Sequence, residues 1–297
     1  MITDRSESVD VLYVDAPQDH GTDSVQAFVQ ALSQQVRIVR RNLLLLEMMK
    51  RRRLLDGQLE VASEIQEKLT PAARCRGEHW ETAAFYKPAM WVGGDFCDLW
   101  ALPDGRLAFA AGDVSGKGLP AAMVMSNLHA ALRAATTFSD TPADALTYVN
   151  THLQHSLIGG MFVSLFFGVL DGETGTLEFV NAGHIPPLIC TSTWEVDEFA
   201  IPQNPILGVV DHPLESDRRV LAPDSTLIIV TDGVTEAGGE NGEEFGTARV
   251  ADALRQARDR TPEQLVQSVT NAVLRWRGMG PQQDDITVLA VRRTSGA

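Results

Sequence analysis

Four aspartates stand at the ends of strongly apolar runs: Asp95, Asp113, Asp232 and Asp284, with Asp285 beside the last. Their flanks are Gly93-Gly94-Asp95-Phe96, Gly112-Asp113-Val114-Ser115-Gly116, Thr231-Asp232-Gly233 and Asp284-Asp285-Ile286. Asp-Gly and Asp-Asp at a strand end have an ordinary use as turn residues, and any one of these alone reads that way. Jointly they differ, because each abuts a run hydrophobic enough to be a core strand. Phe96–Leu102 and Leu107–Ala111 are two such runs around the turn Pro103-Asp104-Gly105. In an antiparallel hairpin the start of the first strand lies beside the end of the second, so Asp95 and Asp113 should meet. Carboxylates brought together repel unless a proton or a metal compensates. A carboxylate set without nitrogen or thiolate suits Mg²⁺ or Mn²⁺ rather than zinc or copper. A pair of such ions can activate a water for in-line attack on a phosphate.

The elements that must position these residues follow in chain order. Residues 1–24 form an N-terminal segment of unknown role, with Val9–Val14 a candidate short strand. From Val25 to about residue 70 the pattern is helical. Val25, Val29, Leu32, Val36, Val39, Leu43 and Leu46 alternate spacings of four and three, the a/d seam of a coiled coil. A second stretch resumes in another phase at Leu55, Leu59, Ala62, Gln66 and Leu69, after Lys50-Arg51-Arg52-Arg53 and Gly57, so the seam does not pass this point unbroken. Residues 36–55 carry seven Lys/Arg against Glu47, net +6 in a chain of net charge −14. Two uses fit: a helix packed on its own domain with a solvated basic face, or a dimerising, signalling helix whose phase break acts as a hinge. Residues 80–293 form the compact domain. Helices are expected over Leu119–Thr136, residues 141–157, Ala248–Ala257 and Pro262–Arg275, and strands over Phe162–Leu170, Leu177–Ala182, Thr226–Val230 and Ile286–Val291. Strands and helices come in blocks, which indicates α+β with antiparallel sheets. The apolar run Met123–Met125 is expected in the core.

Composition narrows the function classes. The chain has 297 residues, 44% of them hydrophobic, enough for one sizeable core plus an appendage. The net charge of −14 argues against nucleic acid as a main partner and against a nuclease. Cys75, Cys97 and Cys190 are too widely spaced for a disulfide framework or a zinc site and fit a cytoplasmic location. None has an arginine six residues downstream, which excludes a cysteine-phosphatase loop. No apolar run is of membrane-spanning length.

Taken in order, the segments around Asp95, Asp113, Asn181-Ala182-Gly183-His184-Ile185-Pro186-Pro187, Thr231-Asp232-Gly233-Val234-Thr235-Glu236 and Asp284-Asp285-Ile286-Thr287 resemble the bacterial SpoIIE/RsbU branch of the metal-dependent (PPM) protein phosphatases. The likeness covers residues 80–293. It implies an αββα sandwich of two antiparallel sheets flanked by helices. It implies hydrolysis of phosphoserine or phosphothreonine in a protein by a metal-bound hydroxide, with two Mn²⁺ or Mg²⁺ ions as cofactors. By motif, Asp113 bridges the metals with the Val114 carbonyl as a further ligand, Asp232 and Asp284 complete one shell, and Asp95 binds directly or through water. Asp285 is a weaker candidate, and Ser115 is structural. His184 reads as a hydrogen-bonded turn residue or a general acid, and Lys117 as a phosphate attractor or a solvated lysine; the group that holds the substrate phosphate stays open. The resemblance further implies a phosphorylated STAS-type anti-sigma-factor antagonist as substrate and control through the preceding helix by an upstream activator, with a homodimer expected. The competing reading is a catalytically silent, dimeric scaffold, against which the retained aspartates argue.

Overall fold

A computed structural model describes residues 22–71, 74–239, 241–257 and 261–295. The expected strand at Val9–Val14 lies outside the described residues. The chain divides into two compact units, residues 1–58 and 59–297.

In the first unit residues 22–58 belong to helix α1 (Thr22–Leu69). Its backbone is helical through Gly57, so the break noted in the sequence belongs to the apolar seam and not to the helix. The seam residues Leu32, Val36, Val39, Leu43 and Leu46 are exposed.

The second unit begins with the last turns of α1. Two sheets are built wholly from antiparallel pairs. The first contains β1 (Arg74–Arg76), β2 (Trp80–Lys87), β7 (Leu188–Cys190), β8 (Val196–Glu198), β10 (Thr226–Val230) and β11 (Ile286–Arg293), in the order β1-β2-β11-β10-β7-β8. The second contains β3 (Phe96–Ala101), β4 (Leu107–Val114), β5 (Val163–Leu170), β6 (Thr176–Ala182) and β9 (Asp217–Val220), in the order β3-β4-β5-β6-β9. Alternation along the strands fixes the layers. Leu107, Phe109 and Ala111 of β4 pack with Phe166, Ile229 and Leu289 between the sheets. Ala108 and Ala110 face the other way, onto Leu128 and Leu132 of α2 (Leu119–Ala135) and Leu146 of α3 (Pro142–Ser156). On the far side Ile228, Val230, Val288 and Ala290 meet Leu254 of α5 (Gly246–Arg255) and Leu265 and Val269 of α6 (Pro262–Arg277). The result is the expected αββα sandwich.

Local chemistry places the helix starts. Thr141 caps α3 by accepting from the Asp144 amide, and Thr261 caps α6 by accepting from Gln264, each followed by proline in the first turn. The expectation for Met123–Met125 is corrected: Met125 is buried but Met123 is exposed, because consecutive helical residues point about 100° apart. Among the described residues no helix is long and apolar enough to cross a membrane.

Candidate metal centre

The site forms where one edge of the sandwich brings strand ends of both sheets together. Strand β4 runs further than its apolar run, so Gly112 and Asp113 are in the ladder, with Asp113 opposite Ser164 of β5. Phe96 pairs with Gly112, which sets Asp95 beside Asp113 as the hairpin argument requires. Asp232 opens the short helix α4 (Asp232–Thr235) directly after β10, and Asp284 precedes β11. Two glycines allow the approach. A Cβ on Gly94 would stand 2.8 Å from the Val114 carbonyl oxygen and 3.5 Å from Asp113 Oδ1, and one on Gly233 would collide with the Asp285 carbonyl.

Asp113, Asp232 and Asp284 line one cavity of about 420 Å³, together with Lys117, Ser164 and His184. Asp95 lies one layer deeper, buried, and its Oδ2 accepts from Thr231 Oγ1 at 2.7 Å and from Thr287 Oγ1. Those threonines sit beside β10 and in β11, so the first sheet grips a carboxylate that precedes the second.

The electrostatics are those of too many carboxylates with too few cations. Burial, followed by repulsion from Asp232 and Asp284, pushes the Asp113 carboxyl up to about 7. Burial and then Asp113 raise Asp95 well above the carboxylate range, against the two threonine bonds. Burial and Asp284 raise Asp232. The cation at hand is Lys117, whose Nζ is 2.8 Å from Asp284 Oδ2 and donates to the Gln283 carbonyl at 2.7 Å. An oxygen-only donor set in which Asp95, Asp113 and Asp232 are all raised fits hard divalent cations, which remove the repulsion. Among the described residues no three of these side chains already stand as a closed ligand cage.

Asp285 takes another role. Its Oδ1 accepts from the Ala89 amide at 2.7 Å, and its Oδ2 from Gly94 at 2.7 Å and Asp95 at 3.3 Å. It is a buried clamp on the loop that delivers Asp95. Sequence reasoning missed a second clamp, Gln66 of α1. Its Nε2 donates to the Gly93 carbonyl at 2.7 Å, while its Oε1 accepts from the Gly93 amide at 3.0 Å and from Tyr86 Oη at 3.2 Å. The available signal was a glutamine at a seam position among apolar residues.

His184 is the hydrogen-bonded corner residue foreseen: Asn181 Oδ1 accepts from its amide at 2.8 Å, and its Nδ1 meets Ser164 Oγ at 3.1 Å. Burial lowers its imidazole to about 4, so at neutral pH it is uncharged and orients the serine facing the cavity. Ser115 is structural: its Oγ accepts a hydrogen bond from the Phe162 amide at 2.8 Å, which ties two loops rather than capping α2.

Residues 103–294 match the family described as Stage II sporulation protein E (SpoIIE). Among curated proteins the chain is 29% identical over 265 residues to Protein IcfG of Synechocystis, covering 80% of this chain and 41% of that one. It is 21% identical to phosphoserine phosphatase RsbU of Bacillus subtilis, covering 80% of this chain and 71% of that one. The chain thus spans less than half of the first relative. Among solved structures it is similar to the SiaA PP2C domain of Pseudomonas aeruginosa, with TM-score 0.69 and 29% identity over 81% of this chain and 98% of that one. The RsbU and RsbW domains of a Mycobacterium tuberculosis protein give TM-score 0.64 and 31% identity, over 74% of this chain and 61% of that one.

Proposed function

The chain belongs to the SpoIIE family, and from that premise we propose that it is a metal-dependent protein phosphatase acting on phosphoserine or phosphothreonine of a regulatory protein. The observation that carries this reading is the convergence of Asp113, Asp232 and Asp284 on one cavity, with the Asp113 carboxyl pushed up to about 7. Asp113, Asp232, Asp284 and the Val114 carbonyl are the residues that would hold two Mn²⁺ or Mg²⁺ ions, with Asp95 behind them. Bound there, divalent ions supply Lewis acidity and an activated water for attack on phosphorus. The chain's own residues do the rest: Ser164, set by neutral His184, presents a hydroxyl to the cavity, and Lys117 offers positive charge beside Asp284.

A STAS-type anti-sigma-factor antagonist is the substrate we infer, supported by the likeness to RsbU-type proteins. A cytoplasmic location and a homodimer belong to the same reading; the dimer is supported by the exposed seam residues Leu32, Val36, Val39, Leu43 and Leu46. Control through the helix end, residues 62–69, by an upstream activator is supported by the Gln66 grip on Gly93, two residues before Asp95.

The test is hydrolysis of p-nitrophenyl phosphate by the full chain with and without Mn²⁺, beside Asp113→Asn and Asp232→Asn. Turnover that requires Mn²⁺ and disappears in both variants is expected. Calorimetric Mn²⁺ binding without turnover, in the full chain and after removal of residues 1–54, would favour the silent scaffold.

A further inference from the structure

Next to the acidic centre one guanidinium is left with donors to spare. Arg277 is the last residue of α6, where Gly278 turns the chain at φ 58° into the loop that carries Asp284. Among the described contacts its side chain reaches one acceptor, Gln282 Oε1, at 3.3 Å, and its Nε is sealed from solvent without a partner. Two other guanidiniums of this domain are more fully engaged. Arg293 donates to the carbonyls of Gly172, Leu221 and Glu173, and Arg133 holds Asp98 through two bonds. A buried donor without an acceptor is costly, so such a group calls for a cause.

Its surroundings supply one. Arg277, Lys117, Gln282, Gln283, Gly233 and Asp284 line a shared cavity of about 120 Å³ that adjoins the metal centre. Gln282 is fixed there, its Nε2 donating to the carbonyls of Lys87 at 2.8 Å and Asp284 at 2.9 Å, which leaves its Oε1 for Arg277. Lys117 is committed to Asp284 and Gln283. Glu236 also lines this cavity, but no ion pair joins it to Arg277 among the described residues. A planar fork with free N–H groups recognises oxyanions, carboxylate or phosphoryl, better than any other side chain.

We propose that Arg277 is a substrate receptor of this cleft, which binds an oxyanion of the phosphoprotein beside the metal centre. The inference rests on the phosphatase reading. The oxyanion has two sources: a carboxylate flanking the phosphorylated serine, or the phosphoryl group itself. An arginine that merely complements the α6 dipole would stabilise the helix end and leave binding unmoved.

The experiment measures binding by calorimetry to the Mn²⁺-loaded full chain, wild type against R277A. The probes are two non-hydrolysable phosphonate analogues of a phosphoserine peptide, identical except for Asp or Asn after the modified residue, and inorganic phosphate. Loss of one charge-assisted bond raises Kd by about 10-fold or more. A rise confined to the Asp peptide assigns the carboxylate, and an equal rise for all three probes assigns the phosphoryl group. Unchanged Kd values overturn the proposal. If R277A melts early, R277Q, which keeps the packed stem, is measured in its place, with the same outcomes. Wild-type turnover of p-nitrophenyl phosphate is followed in parallel, so failure of the phosphatase reading registers separately from failure at Arg277.

Discussion

Asp95 and Asp98 lie three residues apart, both buried, and the protein treats them in opposite ways. Asp98 points into the layer under α2, where Arg133 donates through Nε at 2.7 Å and Nη2 at 2.8 Å. His129 Nε2 stands 3.2 Å away, and the Arg133 guanidinium lies over the Trp100 ring at 5.1 Å. Burial pushes the Asp98 carboxyl up, but the Arg133 and His129 bonds outweigh it and hold the group below the usual range. Asp95 receives only two hydroxyls and faces Asp113, and it is held far above that range. The fold can therefore neutralise a buried carboxylate when it provides an arginine on a facing helix. At the acidic centre the described residues provide none for Asp95 or Asp113, and the missing charge is the one that the proposed divalent ions would bring.

Asp113→Asn gives the largest effect if this contrast holds. Mn²⁺-dependent turnover should fall by at least about 100-fold, more than loss of a group outside the ligand set commonly costs. The metal-free variant should melt above the metal-free wild type, because a repelling charge has gone. A metal-free variant that melts lower would erase the contrast with Asp98.

The pH dependence sharpens the same point. The Asp113 carboxyl is raised on folding from 3.8 to about 7. Its contribution to stability is complete below about pH 4 and is lost as pH rises through 7, on the order of 4 kcal/mol. His184, lowered from 6.5 to about 4, has the opposite sign: it destabilises as pH falls below 6.5. It is common to wild type and variant, so the difference between wild type and Asp113→Asn, measured metal-free by denaturant titration, cancels it and reports Asp113 together with the carboxylates it repels, Asp95 above all. The variant's advantage should grow as pH rises from 4 to 7, and a pH-independent difference would refute the assignment.

Asp98→Asn should cost about 2 kcal/mol, since Arg133 is partly exposed and can hydrate once unpaired. For a domain of this size that lowers the melting temperature by roughly 4–8 °C. Mn²⁺ affinity should stay at the wild-type value, and a loss of affinity comparable to that of Asp113→Asn would mean that the two carboxylates form one system.

Much of this was legible in the sequence, and the reasons are physical. The hairpin around Pro103-Asp104-Gly105 and the apolar runs ending in aspartate located the sheets and the cluster, because strand periodicity and turn chemistry are local signals. Asp285 was less legible. Two adjacent aspartates look alike in a sequence, and only the loop of residues 89–95 folding over the start of β11 decides that one faces the cavity while the other binds backbone amides. The exposure of Met123 beside buried Met125 likewise needed the helix phase against β3 and β4. Arg277 was invisible, because its distinguishing property is a partner it lacks.

Gln66 gives the smallest expected effect, though it tests how far the centre's order depends on α1. Its amide makes both backbone bonds of Gly93, and Asp285 accepts from the amides of Gly94 and Asp95, so three consecutive residues before β3 are pinned from two sides. Gln66→Ala removes one side, at a cost of about 1 kcal/mol. A loosened Asp95 should weaken Mn²⁺ binding by about 10-fold, the low end for groups that orient a ligand. Gln66→Glu discriminates further. It keeps the acceptor for the Gly93 amide but cannot donate to the Gly93 carbonyl when ionised, and it adds a charge near Asp285 and Asp95. Calorimetry should therefore rank wild type above Gln66→Ala and Gln66→Ala above Gln66→Glu, whereas equal affinities in all three would disconnect the helix from the metal centre.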